Sequence, residues 1–211
     1  MPLSYIYYYT FQYSSLIPLL YGLKHYKKVN VPLKYFLGYL TVSSILTIIM
    51  TVLSLQGQNN LWLMNISQPL YAGFLLWTFA LWEKSAVIRR MMRLSIIFFV
   101  MVWAWEMTLG GTIFEFTTYS RPLLNILLIV SSCLILYEGN KNVDIPLMEQ
   151  PQFWISAGVL LYFAGMIAVN LASSALMKIS NEDLFAALMI QPALSFFAHL
   201  LYFVGFRYQC R

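Results

Sequence analysis

Residues 61–82 read LWLMNISQPLYAGFLLWTFALW, a stretch without a single charged side chain. As a helix rising 1.5 Å per residue, it is long enough to cross about 30 Å of hydrocarbon. The chain as a whole is 60% hydrophobic and 10% charged, whereas soluble domains average about 25% charged residues. A water-soluble core could not cover this much apolar surface, so the stretch predicts a transmembrane helix.

Six more apolar runs lie on either side of this one, separated by short polar clusters. Together they predict an all-α integral membrane protein, a single domain over residues 1–211. Because no positive residue precedes the first run, we do not expect a cleavable signal peptide. The predicted helices 1 to 7 span residues 5–23, 35–55, 61–82, 94–109, 122–137, 153–176 and 184–206.

The positive residues predict the orientation. Of the 13 Lys and Arg residues, all but Arg121 and Lys178 fall on one side of the predicted membrane. The positive-inside rule makes that side the cytosol, which for seven spans gives N-out/C-in. The net charge of +5 is therefore a topology signal and not a sign of nucleic-acid binding. The cytosolic set is Lys24, Lys27, Lys28, Lys34, Lys84, Arg89, Arg90, Arg93, Lys141, Arg207 and Arg211.

A Gln-Pro pair occurs in helix 3 (Gln68-Pro69) and again in helix 7 (Gln191-Pro192), 123 residues later. The same offset places helix 2 on helix 6. An offset of 117 places Ser14-Ser15 and Gly22 of helix 1 on Ser131-Ser132 of helix 5 and on Gly139 just after it. These matches predict a 3+1+3 plan, two three-helix units joined by helix 4 and related by an axis along the membrane normal.

This plan resembles that of the PQ-loop and SWEET class of solute carriers. The resemblance is architectural, because the class's Pro-Gln dipeptide occurs here only at Pro151-Gln152 before helix 6. Residues 118–121 (TYSR), 151–158 (PQFWISAG) and 162–165 (YFAG) resemble an uncharacterised family of small seven-helix inner-membrane proteins from Bacteroidetes-type bacteria. That second resemblance implies a bacterial inner membrane and transfers no catalytic residue.

Polar side chains within the spans are concentrated in the predicted outer half and recur at helical spacing. Such groups are costly in a bilayer and usually face the bundle interior or a cavity. We expect an outward-facing polar pocket with aromatic walls, Trp105 among them; interhelical hydrogen bonding is the alternative. The candidate ligand-binding residues are Trp62, Asn65, Gln68, Trp103, Glu106, Arg121, Asn125, Asn170, Gln191, Ser195 and His199.

Glu106 and Arg121 flank the short connection between helices 4 and 5 and carry opposite charges. As structure, they could pair across this hairpin. As functional groups, Glu106 could accept a proton or bind a cation, and Arg121 could hold a carboxylate or phosphate. The sequence leaves both interpretations open.

Proline inside a helix frees the carbonyl four residues earlier, here those of Asn65 and Leu188. The two sites, Pro69 and Pro192, are therefore either hinges or static bends. In helix 6, small residues predict a seam for close helix packing. They are Ala157, Ala164, Ala168 and Ala172.

Nothing in the sequence indicates a cofactor or an enzyme. His199 and His25 are the only histidines and lie in separate segments, so no metal-ligand spacing exists. Helix 7 has no mid-helix lysine for a retinal Schiff base, and Glu106 is the only acidic residue plainly within a span. Cys133 and Cys210 are predicted to lie apart and unpaired.

Three functions remain open. The first is a receptor or sensor module that binds a small periplasmic ligand and signals to a cytosolic or membrane partner. The second is a SWEET-like carrier of small solutes, and the third is a structural or assembly subunit. The polar residues thin out inward, which favours the receptor, because a carrier needs a polar route through both halves.

Overall fold

The computed structural model describes residues 10–11, 13–109, 113–115, 117–141, 145–176 and 181–210, except for the side chains of residues 170–189. Within these ranges the chain forms seven α-helices and two short 3₁₀ turns, with no strand, so the predicted all-α class is confirmed. The 3₁₀ turns are Tyr13–Ser15 and Leu147–Glu149. The helices are α1 (Leu16–Lys24), α2 (Val31–Leu55), α3 (Leu61–Trp82), α4 (Ala86–Leu109), α5 (Ser120–Asn140), α6 (Pro151–Leu176) and α7 (Asn181–Cys210).

Within the described ranges, three segments are long and apolar enough to cross a membrane. They are Val31–Leu55, Ser120–Asn140 and Pro151–Val169. Large apolar side chains are exposed along the outer faces of the helices, for example Ile45 and Ile48 on α2 and Ile97 and Met101 on α4. A soluble protein rarely exposes an apolar surface of this extent. These three helices therefore have the length of membrane spans, and the exposed apolar faces are typical of a membrane protein.

The observed helices extend beyond the predicted spans wherever a polar end was trimmed. The fourth helix begins at Ala86 and not at 94, because Arg89 and Arg90 favour helix but count against a hydropathy window. The second begins at Val31, where the Asn30 side chain accepts a hydrogen bond from the Leu33 N–H at 3.1 Å and caps the first turn. The third matches its prediction. Residues 5–9 and 12 of the first span lie outside the described residues.

The helices pack in chain order, each against the next, and α7 closes the bundle by packing on α1. In addition, α3 packs directly on α5. The joining helix, α4, contacts α3 and α5 and is the least buried, since only Met92, Phe99 and Glu106 of its residues are buried. Two of the deepest aromatic contacts, Phe36 with Tyr202 and Phe36 with Phe206, join α2 to α7.

Glycine, and not the predicted alanine seam, sets the α6–α7 contact. A Cβ on Gly158 would lie 2.5 Å from the Tyr202 ring, and one on Gly165 would lie 2.5 Å from Leu194. The alanine prediction is wrong for the seam, because Ala164 and Ala168 are exposed. Ala157 is partly buried, and the side chain of Ala172 lies outside the described residues. Both sets of small residues fit helical spacing, so only the rotation of α6 distinguishes them.

Candidate functional site

Asn65 on α3 holds the connection between α4 and α5. Its Nδ2 donates to the carbonyl oxygens of Ile113 and Glu115, each at 2.7 Å, and the side chain is fully buried. Nearby, Asn59 Nδ2 donates to the Phe114 carbonyl at 3.2 Å. Three consecutive carbonyls of the connection are thus bound by side chains from the α2–α3 region. We call this set of contacts the outer clamp.

Gln68 lies one turn further into α3, and only its amide nitrogen contacts the outer clamp. Because both N–H bonds of the Asn65 amide are directed at carbonyls, Asn65 Oδ1 can act only as an acceptor. Gln68 Nε2 donates to that oxygen at 3.3 Å and to Thr117 Oγ1 at 2.9 Å. The Gln68 amide orientation is therefore fixed, with Oε1 pointing away from the clamp. Oε1 is buried and has no hydrogen-bond partner among the described residues.

The carbonyl freed by Pro69 has a partner within the chain. Trp103 on α4 donates its Nε1–H to the Asn65 carbonyl at 3.0 Å. A freed carbonyl in a membrane helix needs such a donor, and here an indole on the neighbouring helix supplies it. The proline site is consequently tied to the outer clamp through Asn65. Trp103 has a structural contact of its own and does not depend on a ligand.

Glu106 caps α5 from the neighbouring helix. Its Oε1 accepts the N–H groups of Thr118 and Tyr119, and its Oε2 accepts that of Ser120 at 2.8 Å. The hydrogen bonds of this carboxylate within the described residues go to backbone N–H groups. Of the two interpretations, the ion pair across the hairpin is therefore not formed as a direct bond, although the charge of Glu106 acts on Arg121. A carboxylate at a helix N-terminus satisfies orphan N–H groups and the helix dipole together. The role of Glu106 is therefore structural, because its oxygens cap the start of α5.

A second group of polar side chains lies on α5, α6 and α7, and α5 packs directly on α3, which carries Gln68. Asn125 on α5 is 4% exposed, and its Nδ2 has no hydrogen-bond partner in the described part of the chain. Arg121, one turn nearer the helix start, interacts electrostatically with Tyr162 on α6. Tyr162 in turn contacts the side chains of Gln191 and Ser195 on α7. We call the set Gln68, Arg121, Asn125, Tyr162 and Gln191 the outer polar cluster.

Tyrosine is the residue type that sequence reasoning missed. Tyr39 and Tyr71 meet edge to face at 5.3 Å between ring centroids, and Tyr39 also interacts with Tyr162 and Tyr202. These tyrosines lie within apolar runs of the sequence, so the hydropathy pattern did not distinguish them from core residues. One signal was present, because the 123-residue offset of the repeat places Tyr39 on Tyr162.

His199, a candidate ligand-binding residue on α7, belongs to a different contact. His199 Nδ1 lies 2.8 Å from Ser14 Oγ, which joins α7 to the start of α1. The Ser14 hydroxyl donates to the Phe11 carbonyl, so its single proton is used and Nδ1 must be the donor to Ser14. Ser195 Oγ donates to the Gln191 carbonyl at 3.0 Å. The structure thus keeps Ser195 beside the outer polar cluster and places His199 in the α1–α7 interface.

The remaining candidates do not join the cluster. Trp105 is 49% exposed and packs on Tyr119 at 5.9 Å, so it forms surface and not a pocket wall. Trp62 is partly buried. The side chain of Asn170 lies outside the described residues. Pro192 lies inside the continuous helix α7.

The outer polar cluster consists of amides, a phenol and a guanidinium. In the described residues no group of three His, Cys, Asp or Glu side chains could hold a metal ion. The nearest carboxylate, Glu106, already accepts three N–H groups, so it is not positioned to move a proton to or from a substrate. Such groups are suited to hydrogen bonding and orientation.

Comparison of the chain with family models, with curated proteins and with solved structures found no match.

Proposed function

We propose that this chain is a receptor-like module of a bacterial inner membrane that binds a small polar ligand in the outer polar cluster. All seven helices would cross the bilayer in the N-out/C-in orientation, and the cluster would face the periplasm. Support for the crossing comes from the apolar helices and their exposed apolar faces. Support for the orientation comes from the one-sided distribution of Lys and Arg.

One observation carries the ligand-binding proposal. Gln68 Oε1 and Asn125 Nδ2 are a buried acceptor and a buried donor, each without a partner in the described part of the chain. They lie on α3 and α5, which pack directly on each other; Gln68 is the eighth residue of its helix and Asn125 is the sixth of its own. Leaving one such group unsatisfied costs about 1–3 kcal/mol. A ligand that supplied a donor to Gln68 and an acceptor to Asn125 would recover that cost.

The cluster also limits the chemistry of the ligand. A cationic amine would need a carboxylate partner, and Glu106 is used by backbone N–H groups. The available groups instead suit a small solute with hydroxyl or N–H donors and an oxygen acceptor. Arg121, which takes part in contacts within the chain, adds positive charge beside Tyr162 and favours an anionic oxygen on that solute.

The inner half of the bundle favours a receptor over a carrier. Phe36, Tyr202 and Phe206 are almost fully buried there, and the Phe36 and Tyr202 rings meet at 4.8 Å. At the inner end, Asn30 Nδ2 donates to Gln209 Oε1 at 2.8 Å and ties α2 to α7. These apolar and amide contacts support a bundle that is packed shut below the cluster. A bound ligand would then act by shifting helices against a cytosolic or membrane signalling partner.

A thermal-shift screen of the purified protein against small sugars, amino acids and carboxylates tests the proposal. We expect at least one solute class to raise the unfolding midpoint. Tyr162→Phe, which removes one hydroxyl and keeps the ring, and Asn125→Ala should abolish that shift. Tyr137→Phe, on an exposed tyrosine, should retain it. A shift that survives both cluster variants would place the ligand elsewhere and overturn the proposal.

A small-solute carrier is the second candidate, and the packing order supports it. A two-fold axis relating α1–α3 to α5–α7 exchanges the α3–α5 contact with the α7–α1 contact, and both contacts are observed. Such an arrangement of two units is common in carriers. Reconstituted protein that moves the screened solute down its gradient, with flux lost in Asn125→Ala, would establish the carrier in place of the receptor.

A further inference from the structure

The turn between α1 and α2 forms a small open concavity at the inner end of the bundle. Its volume is about 380 Å³. Half of its lining consists of lysine side chains, and the rest is aromatic or apolar. The lining residues are Leu23, Lys24, His25, Tyr26, Lys27 and Lys28.

Contacts on both sides hold the turn in shape. His25 Nδ1 is 3.0 Å from the Tyr21 carbonyl, and the two rings pack at 4.4 Å. Lys28 Nζ donates to the Cys210 carbonyl at the end of α7. Beyond the turn, Val29 is buried. The concavity is thus preorganised, which lowers the entropic cost of binding.

Two of the three lysines are available to a ligand. Lys24 and Lys27 are exposed, and no hydrogen bond or ion pair is recorded for either ammonium group among the described residues. Lys28 is held by Cys210. The concavity therefore presents two exposed ammonium groups around one site. An anionic oxygen cluster such as a phosphodiester would satisfy both.

An exposed apolar face of α1 leads directly into the concavity. Ile17, Leu20 and Leu23 are spaced by three residues and are 44%, 63% and 49% exposed. They form one helical face, since residues three apart are neighbours on a helix. A cationic site at one end of an apolar face has the two-part chemistry of a phospholipid: a charged headgroup and an acyl chain.

We propose that this concavity is a binding site for one anionic phospholipid. Lys24 and Lys27 contact the headgroup phosphate, and one acyl chain lies along Ile17 and Leu20. The site is at the opposite end of the bundle from the outer polar cluster and does not depend on the ligand proposed there. Juxtamembrane lysines attract anionic lipid in general; the preformed concavity and its adjoining apolar face are what would make this one a discrete site.

Native mass spectrometry of the whole protein, in neutral detergent with phosphatidylglycerol or phosphatidylcholine added, tests the site. We expect one phosphatidylglycerol to bind more tightly than phosphatidylcholine. The double variant Lys24→Gln/Lys27→Gln should weaken the phosphatidylglycerol affinity about tenfold. The matched control Lys84→Gln/Arg90→Gln removes the same charge from exposed residues of the α3–α4 region and should leave the affinity within about twofold, as only the general field changes.

Two further arms keep the outcomes distinct. Lys24→Arg/Lys27→Arg keeps both charges and should retain binding, which separates loss of the site from loss of the fold. Inorganic phosphate, added as competitor, should not displace the lipid, because it lacks the acyl chain. Equal loss in both Gln variants would overturn the proposal, since it would show attraction by charge alone. Displacement by phosphate would overturn the assignment to a lipid.

Discussion

The two Gln-Pro sites have the same residues but differ in burial and in hydrogen bonding. Gln68 is 4% exposed, its amide is held by Asn65 and Thr117, and the carbonyl freed by Pro69 is bound by Trp103. Gln191 is exposed, and its side chain contacts Tyr162. The first site is part of a fixed hydrogen-bond network. Around the second site the described residues show the contact with Tyr162 and no comparable network, and in the proposed function this site contacts the ligand.

This difference shows that a repeated motif need not have a repeated role. Helix α4 and its connection to α5 supply the Trp103 and Thr117 contacts that fix the first site. Among the described residues, Gln191 has a contact with Tyr162 in place of such a clamp. Four experiments test this difference between the two Gln-Pro sites and the contacts around them.

The largest expected effect is that of Asn65→Ala. This variant leaves the carbonyls of Ile113 and Glu115 without their donors and removes the acceptor for Gln68. We expect a loss of about 3 kcal/mol, or a fall of roughly 6–12 °C in the unfolding midpoint. Asn59→Ala, which removes one exposed bond to the same connection, is the control. An Asn65→Ala effect no larger than that of Asn59→Ala would mean that the clamp is not stabilising.

Glu106→Gln should have the next largest effect. The neutral amide loses the charge-assisted bonds to the Tyr119 and Ser120 N–H groups and places a donor against the start of α5. We expect a loss of about 2 kcal/mol in the free energy of unfolding, measured by chemical denaturation. Glu138→Gln, which breaks the exposed pair with Lys141, should cost less than about 0.5 kcal/mol. Similar values for the two variants would contradict the capping role.

A double-mutant cycle on Trp103 and Pro69 isolates the kink itself. Trp103→Phe removes the N–H that serves the Asn65 carbonyl and should cost about 1 kcal/mol. Pro69→Ala supplies a backbone N–H for the same carbonyl, so Trp103→Phe should cost almost nothing in that background. The expected coupling is about 1 kcal/mol, measured from the four unfolding free energies. Additive costs would show that the indole does not serve the freed carbonyl.

Much of the fold could be predicted because it depends on hydropathy, polarity and proline position, all of which can be read directly from the sequence. Apolar runs gave the all-α class, and the third helix was predicted with the observed bounds. The burial of Asn65, Gln68 and Asn125 followed from the cost of polar groups in a bilayer. The need of the Asn65 carbonyl for a partner followed from the position of Pro69.

The partners themselves could not be predicted, because most of them are backbone groups. An ion pair between Glu106 and Arg121 was one of two interpretations. The Glu106 oxygens instead bind three backbone N–H groups, which the order of side chains does not reveal. The carbonyls bound by Asn65 were hidden for the same reason. The identity of the tight α6–α7 seam depended on helix rotation, which placed Gly158 and not Ala164 against α7.

Thermal unfolding of Gln68→Ala beside Gln191→Ala, under one detergent condition, tests the contrast between the two sites most directly. Gln68→Ala should cost about 2 kcal/mol, or roughly 4–8 °C, because the two buried hydrogen bonds and the buried packing that it removes outweigh the relief of the unpartnered Oε1. Gln191→Ala should leave the midpoint within about 1 °C. Equal shifts, or a larger shift for Gln191→Ala, would contradict the assignment of a structural clamp to the first site and an available ligand contact to the second.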